Sequence, residues 1–161
     1  MVCGVPDRGF ETAHPATLSV HHPRDQYSGL VIRTAALAHV RDRRLLQARS
    51  IGKNVFYMAG GKIDPGETPV LALHREVREE LGVGVRSYTE LGIFRAEAYG
   101  HAPGTPLHMT CFTAELDGEP TPTSEIAELR YFTIAEYAAM EHVAPGSMLV
   151  FRKLRELDLI D

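Results

Sequence analysis

Cysteine is scarce. Cys3 and Cys111 are the only two in 161 residues, they lie far apart, and neither belongs to a CxxC or Cys/His ligand spacing. That excludes a disulfide scaffold and a cysteine-based zinc site, and it suits plain thiols in a reducing compartment. Long apolar runs are missing as well. No stretch approaches the roughly 20 apolar residues that a membrane helix needs, and residues 1–25 lack the apolar run of a signal peptide. There is no dense Lys/Arg run either: 17 basic residues stand against 21 acidic ones, for a formal net charge of -4. The broad positive footprint of a duplex nucleic-acid binder is therefore absent, although a local basic or metal-charged site for a small anion stays open. We expect a cytoplasmic chain with no membrane association. Internal repeats and low-complexity tracts are also lacking.

What is present suits one compact domain, with 44% apolar and 24% charged residues. Residues 1–26 are rich in Pro, His, Gly and Thr without apolar periodicity, and read as an extension; residues 27–161 read as a single domain. The adjacent His21 and His22 fit surface positions better than ligand positions. Residues 30–40 and 45–48 are apolar runs split by Arg41-Asp42-Arg43-Arg44, which predicts a two-stranded hairpin. A short strand is predicted at 55–58, ended by the Gly60-Gly61 pair, and Asp64-Pro65-Gly66 marks a turn. A helix follows, with Thr68 as its cap, Pro69 at its first position and Gly82 as a left-handed stop. Val70, Leu73, Val77 and Leu81 give that helix one apolar stripe. Strands are predicted at 91–98, 107–116 and 129–132, and helical segments at 134–141 and 147–157. Mixed strands and helices of this kind predict an α+β layered fold.

The same helix carries Glu76, Glu79 and Glu80 at i, i+3 and i+4, so their side chains share an arc of about 100°. Three crowded carboxylates repel one another unless a cation neutralises them, and hard Mg²⁺ or Mn²⁺ prefers such oxygen ligands. An isolated E-x-x-E-E is more often a solvated face. Here the surroundings are specific: five residues separate Gly61 from Glu67, seven more separate Glu67 from Arg75-Glu76, and the run continues Val77, Arg78, Glu79, Glu80, Leu81, Gly82, Val83.

Residues 61–83, GKIDPGETPVLALHREVREELGV, resemble the Nudix box with no signature position substituted. The resemblance implies the Nudix α/β/α sandwich, with a mixed sheet and a catalytic loop-helix. It implies that Glu76, Glu79 and Glu80 bind Mg²⁺ (or Mn²⁺), with a backbone carbonyl of Gly60 or Gly61 completing the site. Glu67 and Arg75 are implied supports of the loop-helix geometry, in line with the bidentate hold of an Arg on carboxylates. The implied activity is metal-dependent hydrolysis of the diphosphate linkage of a nucleoside diphosphate joined to another moiety. A nucleoside triphosphate, a dinucleoside polyphosphate and a nucleotide sugar all satisfy that description. A carboxylate from a loop before a late strand often joins such sites; Glu125 is the preferred match and Glu128 the second.

Among cations, Arg33, Arg49, Lys53, Lys62 and Arg95 are candidates for phosphate contact, with Arg49 and Lys62 the nearest to the box. His39, His74, His101 and His108 show no paired ligand spacing, and His74 is expected to pack rather than catalyse. Phe56, Tyr57, Phe94 and Phe112 are candidates for stacking on a base, though strand aromatics usually serve the core; Tyr99 resembles the tyrosine of the subgroup that cleaves diadenosine polyphosphates, and the proline of the ADP-ribose pyrophosphatase subgroup is missing before Pro103. Two other readings share the fold. An isopentenyl-diphosphate isomerase needs a catalytic Cys, for which Cys111 is the only internal choice, and a nucleotide-sensing module usually loses box carboxylates that are all present here. A homodimer is compatible with the sequence, which does not decide it.

Overall fold

A computed structural model describes residues 31–161; the proposed extension over residues 1–26 lies outside them. The elements in order are β1 (Ile32–Leu37), β2 (Val40–Arg41), β3 (Arg44–Ser50), β4 (Ala59–Lys62), α1 (Pro69–Leu81), β5 (Val85–Glu97), β6 (Pro106–Leu116), β7 (Ile126–Phe132), α2 (Ile134–Ala138) and α3 (Pro145–Glu156). Four strands form a mixed sheet in the order β4-β1-β6-β5, parallel between β1 and β6 and antiparallel elsewhere. A smaller antiparallel sheet runs β2-β3-β7. Among the described residues no helix is long and apolar enough to cross a membrane.

The two-residue period of the strands builds the layers. On β1, Ala35 and Leu37 join one core with Ala72, Leu73, Val77 and Leu81 of α1, whereas Ala36 joins another with Val150, Phe151 and Leu154 of α3. On β6, Phe112 faces the α1 core, and Met109 and Cys111 face the α3 core. The sheets are thus covered on both faces, which makes the α/β/α sandwich. Each fully buried Leu or Val of the α1 stripe contributes about 1.5–3 kcal/mol through its burial, enough to fix which way the opposite face of the helix points.

Four sequence expectations need correction. The hairpin at 40–45 joins β2 to β3, closed by Asp42 and Arg43 at φ 48 and 59, the paired positive values of a tight hairpin turn. β1 belongs instead to the other sheet, because its apolar run is buried from both sides rather than on one. Residues 55–58 form no regular strand; Phe56 and Tyr57 make only single bridges, to Val143 and Ala48. Nor do the glycines end a strand. Gly60 and Gly61 lie within β4, opposite Ala36 and Ala35. Finally, β5 begins at Val85, well before residue 91, since its outward polar residues hide the apolar alternation.

Candidate functional site

The site is built on α1 and the segment before it. Thr68 Oγ1 accepts the Leu71 N–H at 3.2 Å, and Gly82 closes the far end at φ 66, as the cap residues predict. With Leu73, Val77 and Leu81 buried in the core, Glu80 turns toward β4 and Glu79 toward solvent. Glu80 is only 8% exposed, and its Oε2 accepts the Gly60 N–H at 2.8 Å. Glu76 lies against Gly61 so closely that a Cβ there would collide with its carboxylate. Gly60 is equally confined: at φ 138, an added Cβ would meet the Ala35 carbonyl and come within 2.8 Å of Ala36 Cα. Both glycines therefore permit a close approach of β4 to its neighbours.

Arg75 ties this corner together. Its guanidinium donates to both Glu67 carboxylate oxygens (3.0 and 2.9 Å), to Glu76 Oε1 (2.6 Å) and to the Lys62 carbonyl (2.9 Å). Glu79 Oε2 lies 3.5 Å from the same group. Glu67 also accepts the Asp64 N–H at 3.0 Å, which closes the loop before the helix. The Arg75 hydrogen bonds, with that backbone bond, hold the Glu67 carboxyl down at about 2. Burial pushes Glu80 the other way, to about 7, and the charges of Glu76, Glu125 and Glu79 add to the rise. Glu76 is raised too, by burial first, against the pull of Arg75.

Glu125 precedes β7, in the loop where sequence reasoning looks for an extra carboxylate. Thr121 and Thr123, which carry no sequence signal of their own, staple that loop to the end of α1. The Thr121 N–H donates to the Leu81 carbonyl at 2.9 Å, the Thr123 N–H to the Glu80 carbonyl at 3.1 Å, and Thr123 Oγ1 to the Glu79 carbonyl at 2.6 Å. Glu125 and Glu80 then line one cavity of about 260 Å³ together with Gly60, Gly61 and Lys62. The same lining includes Tyr57 and Tyr99, edge to face at 6.1 Å, and His101.

Not every candidate reaches this cavity. Arg49 is occupied elsewhere: it donates to Glu128 at 2.9 Å and to the Lys53 carbonyl at 3.1 Å, so the second-choice carboxylate Glu128 is held on the same outer edge. Arg33, Lys53 and Arg95 are absent from the cavity lining, which leaves Lys62. His74 packs its ring edge on Tyr88, as expected of it. Cys111 is fully buried in the α3 core, and burial lifts its thiol to about 12.

The donor set is carboxylate and carbonyl oxygen, which fits a hard divalent cation. Glu80 is a desolvated carboxylate whose charged form is destabilised by like charges, and a bound cation would relieve both effects. Among the described residues no three acidic, His or Cys side chains already converge at ligand distance. The Arg75 bond to Glu76 and the Gly60 bond to Glu80 account for that separation, so a closed coordination sphere requires these long side chains to rotate.

A mixed-sheet sandwich that presents a carboxylate helix at the end of a glycine-rich strand defines a class of proteins built around a loop-helix acidic site. Within it, the NUDIX domain model matches residues 31–151, and the chain belongs to the Nudix family. An uncharacterised Nudix hydrolase of Rhodococcus erythropolis is 33% identical over 119 residues, 70% of this chain and 64% of that protein. An RNA pyrophosphohydrolase of Halorhodospira halophila is 41% identical over 54 residues, 34% of this chain and 30% of that protein. The chain thus spans less than two thirds of these curated relatives. The crystal structure of a MutT Nudix hydrolase from Burkholderia pseudomallei shares the fold, with a TM-score of 0.65 at 22% identity over 78% of this chain and 99% of that one.

Proposed function

We propose that this protein is a divalent-metal-dependent pyrophosphohydrolase that cleaves the diphosphate linkage of a nucleoside diphosphate joined to another moiety. One observation carries the reading: the buried Glu80, raised to about 7 beside Glu76, Glu79 and Glu125, borders a cavity able to admit a small ligand. Carboxylates are not crowded into a desolvated corner for stability alone. The Nudix family membership and the complete box over residues 61–83 support the same reading.

In this reading Glu76, Glu79 and Glu80, with a carbonyl of Gly60 or Gly61, hold Mg²⁺ or Mn²⁺. The ion supplies charge neutralisation on the phosphate oxygens and lowers the pKa of water. Glu125, with Glu79 as the alternative, takes the proton of the attacking water. An O–P bond forms as the bridging P–O bond breaks, and the leaving phosphate departs with the electron pair of that bond. Lys62 contacts the diphosphate, while Glu67 and Arg75 keep the loop and helix in register. Arg49, paired with Glu128, has no part in it. The buried Cys111 disfavours the isomerase chemistry, and the full set of box carboxylates disfavours a purely sensing module. We assign the acting unit to residues 27–161, in the cytoplasm, on small nucleotides rather than duplex nucleic acid.

The test is product analysis by liquid chromatography of a nucleotide panel with Mg²⁺ or Mn²⁺. Wild type is compared with Glu79→Gln and with a surface variant such as Glu141→Gln. Cleavage that needs the ion and Glu79 supports the assignment. A folded protein that binds a nucleotide and cleaves none of the panel overturns it.

A further inference from the structure

We propose that the cavity selects a diphosphate diester over nucleoside triphosphates and longer polyphosphates; this rests on the pyrophosphohydrolase reading and narrows its substrate class. The argument is a count of charges. Lys62 is the only Lys or Arg in the lining among the described residues, and it faces three lining carboxylates, Glu80, Glu97 and Glu125. The neighbouring cations are committed. Arg75 is used by Glu67, Glu76 and the Lys62 carbonyl, and Arg49 by Glu128 and the Lys53 carbonyl.

A diphosphate diester carries about two negative charges near neutral pH and a nucleoside triphosphate about four, because a terminal phosphate loses its second proton with a pKa of about 6. The cations expected at the carboxylate helix can balance the former. Each further phosphate has to find its own partner, and among the described residues Lys62 is the only Lys or Arg the lining offers. The rest of the lining includes an apolar wall of Met58, Leu107 and Met109, with Tyr57 and Tyr99 meeting at an interplanar angle of 69°. Such a wall accepts an uncharged ring or sugar and gives nothing to an extra phosphate. Glu97, whose Oε1 accepts the Gly104 N–H at 2.8 Å, adds a further carboxylate to the same lining. Selectivity by an unpaired like charge is a repulsive device, and it needs no specific contact to the preferred compound.

The experiment compares ADP-ribose with ATP, which keeps adenosine constant, on the full chain at pH 8. We expect kcat/KM for ADP-ribose to exceed that for ATP by on the order of tenfold or more. Ser50→Lys, which adds a cation to the lining, should raise kcat/KM for ATP and narrow the ratio; Thr34→Lys is the second placement if the first melts early. Calorimetric affinities in EDTA give a readout without turnover, and the same order is expected. Equal or better cleavage of ATP by wild type overturns the selectivity while the hydrolase reading stands. If neither compound is cleaved, the hydrolase reading is decided by the wider nucleotide panel and the binding order decides the selectivity: tighter ADP-ribose supports the charge count, and equal or tighter ATP overturns it.

Discussion

Glu80 combines two demands that pull apart, and its titration exposes them. Its carboxyl is raised to about 7 in the fold, by burial first, against about 4.3 in an unfolded chain. Below the unfolded value both states are protonated and there is no penalty. Between the two values the folded state holds more protons, so stability falls as pH rises, and above 7 the loss is complete. Glu80→Gln cannot ionise and keeps an oxygen for the Gly60 N–H. In EDTA at pH 8 it should melt later than wild type, by up to about 3 kcal/mol, and at pH 4 the two should coincide; hydrolysis should fall at least about a hundredfold. Equal melting at pH 8 would show that burial does not strain this group. Arg75 is read differently, as a fork. Arg75→Lys keeps one charge but cannot bond Glu67, Glu76 and the Lys62 carbonyl at once. We expect kcat to fall about tenfold to a hundredfold with KM little changed, and wild-type kinetics in the Lys variant would remove Arg75 from the positioning role. These residues were legible in the sequence because they are neighbours along one helix and its preceding turn. The pairing of Arg49 with Glu128 was not, since that partner arrives from a strand far along the chain.

At the scale of elements, α1 and β4 make the site only because glycine lets them touch. Gly61→Ala puts a methyl group where the Glu76 carboxylate lies, and a side chain can swing aside at small cost to the fold. Gly60→Ala meets the backbone of β1, which cannot, and it also holds a φ of 138 that Ala resists. We therefore expect the first variant to stay within about 1 kcal/mol of wild type in urea melts while losing most activity. The second should lose about 2–4 kcal/mol. The reverse order would mean that the pair serves the turn and not the strand. The helix was readable end to end from Thr68, Pro69 and Gly82, whose cap chemistry is local. The strand identity of the glycines was not, because the reason for them is the approach of β1 and Glu76, which no local pattern records. The same holds for β1 and β2: an apolar run next to a turn looks like half of a hairpin until the second sheet claims it.

The whole molecule supplies what neither scale does, a common anchor for carboxylates brought from two distant parts of the chain. The α1 stripe sets Glu76 and Glu80 against β4 with Glu79 on the solvent side of them, and the Thr121 and Thr123 staples bring the Glu125 loop to the same end of the helix. The layered fold was legible from alternating strands and a capped amphipathic helix; the staples were not, because a threonine hydroxyl bonded to a helix carbonyl leaves no periodic trace. An ion held by the folded site and not by the unfolded chain must stabilise the fold, by about 2.7 kcal/mol at a hundred times its dissociation constant. Thermal melts should therefore rise with Mn²⁺ or Mg²⁺. The rise should be larger at pH 8 than at pH 6, because Glu80 is ionised only above about 7 and protons compete with the ion below it. Combining Glu76→Gln, Glu79→Gln and Glu80→Gln should abolish the shift, whereas Glu128→Gln, on the outer edge with Arg49, should leave it intact. A shift that survives the triple substitution would move the cation away from the helix. No shift at any pH would leave the buried Glu80 beside Glu76 and Glu125 with no cation to offset its raised carboxyl, and would remove the divalent ion from the reading.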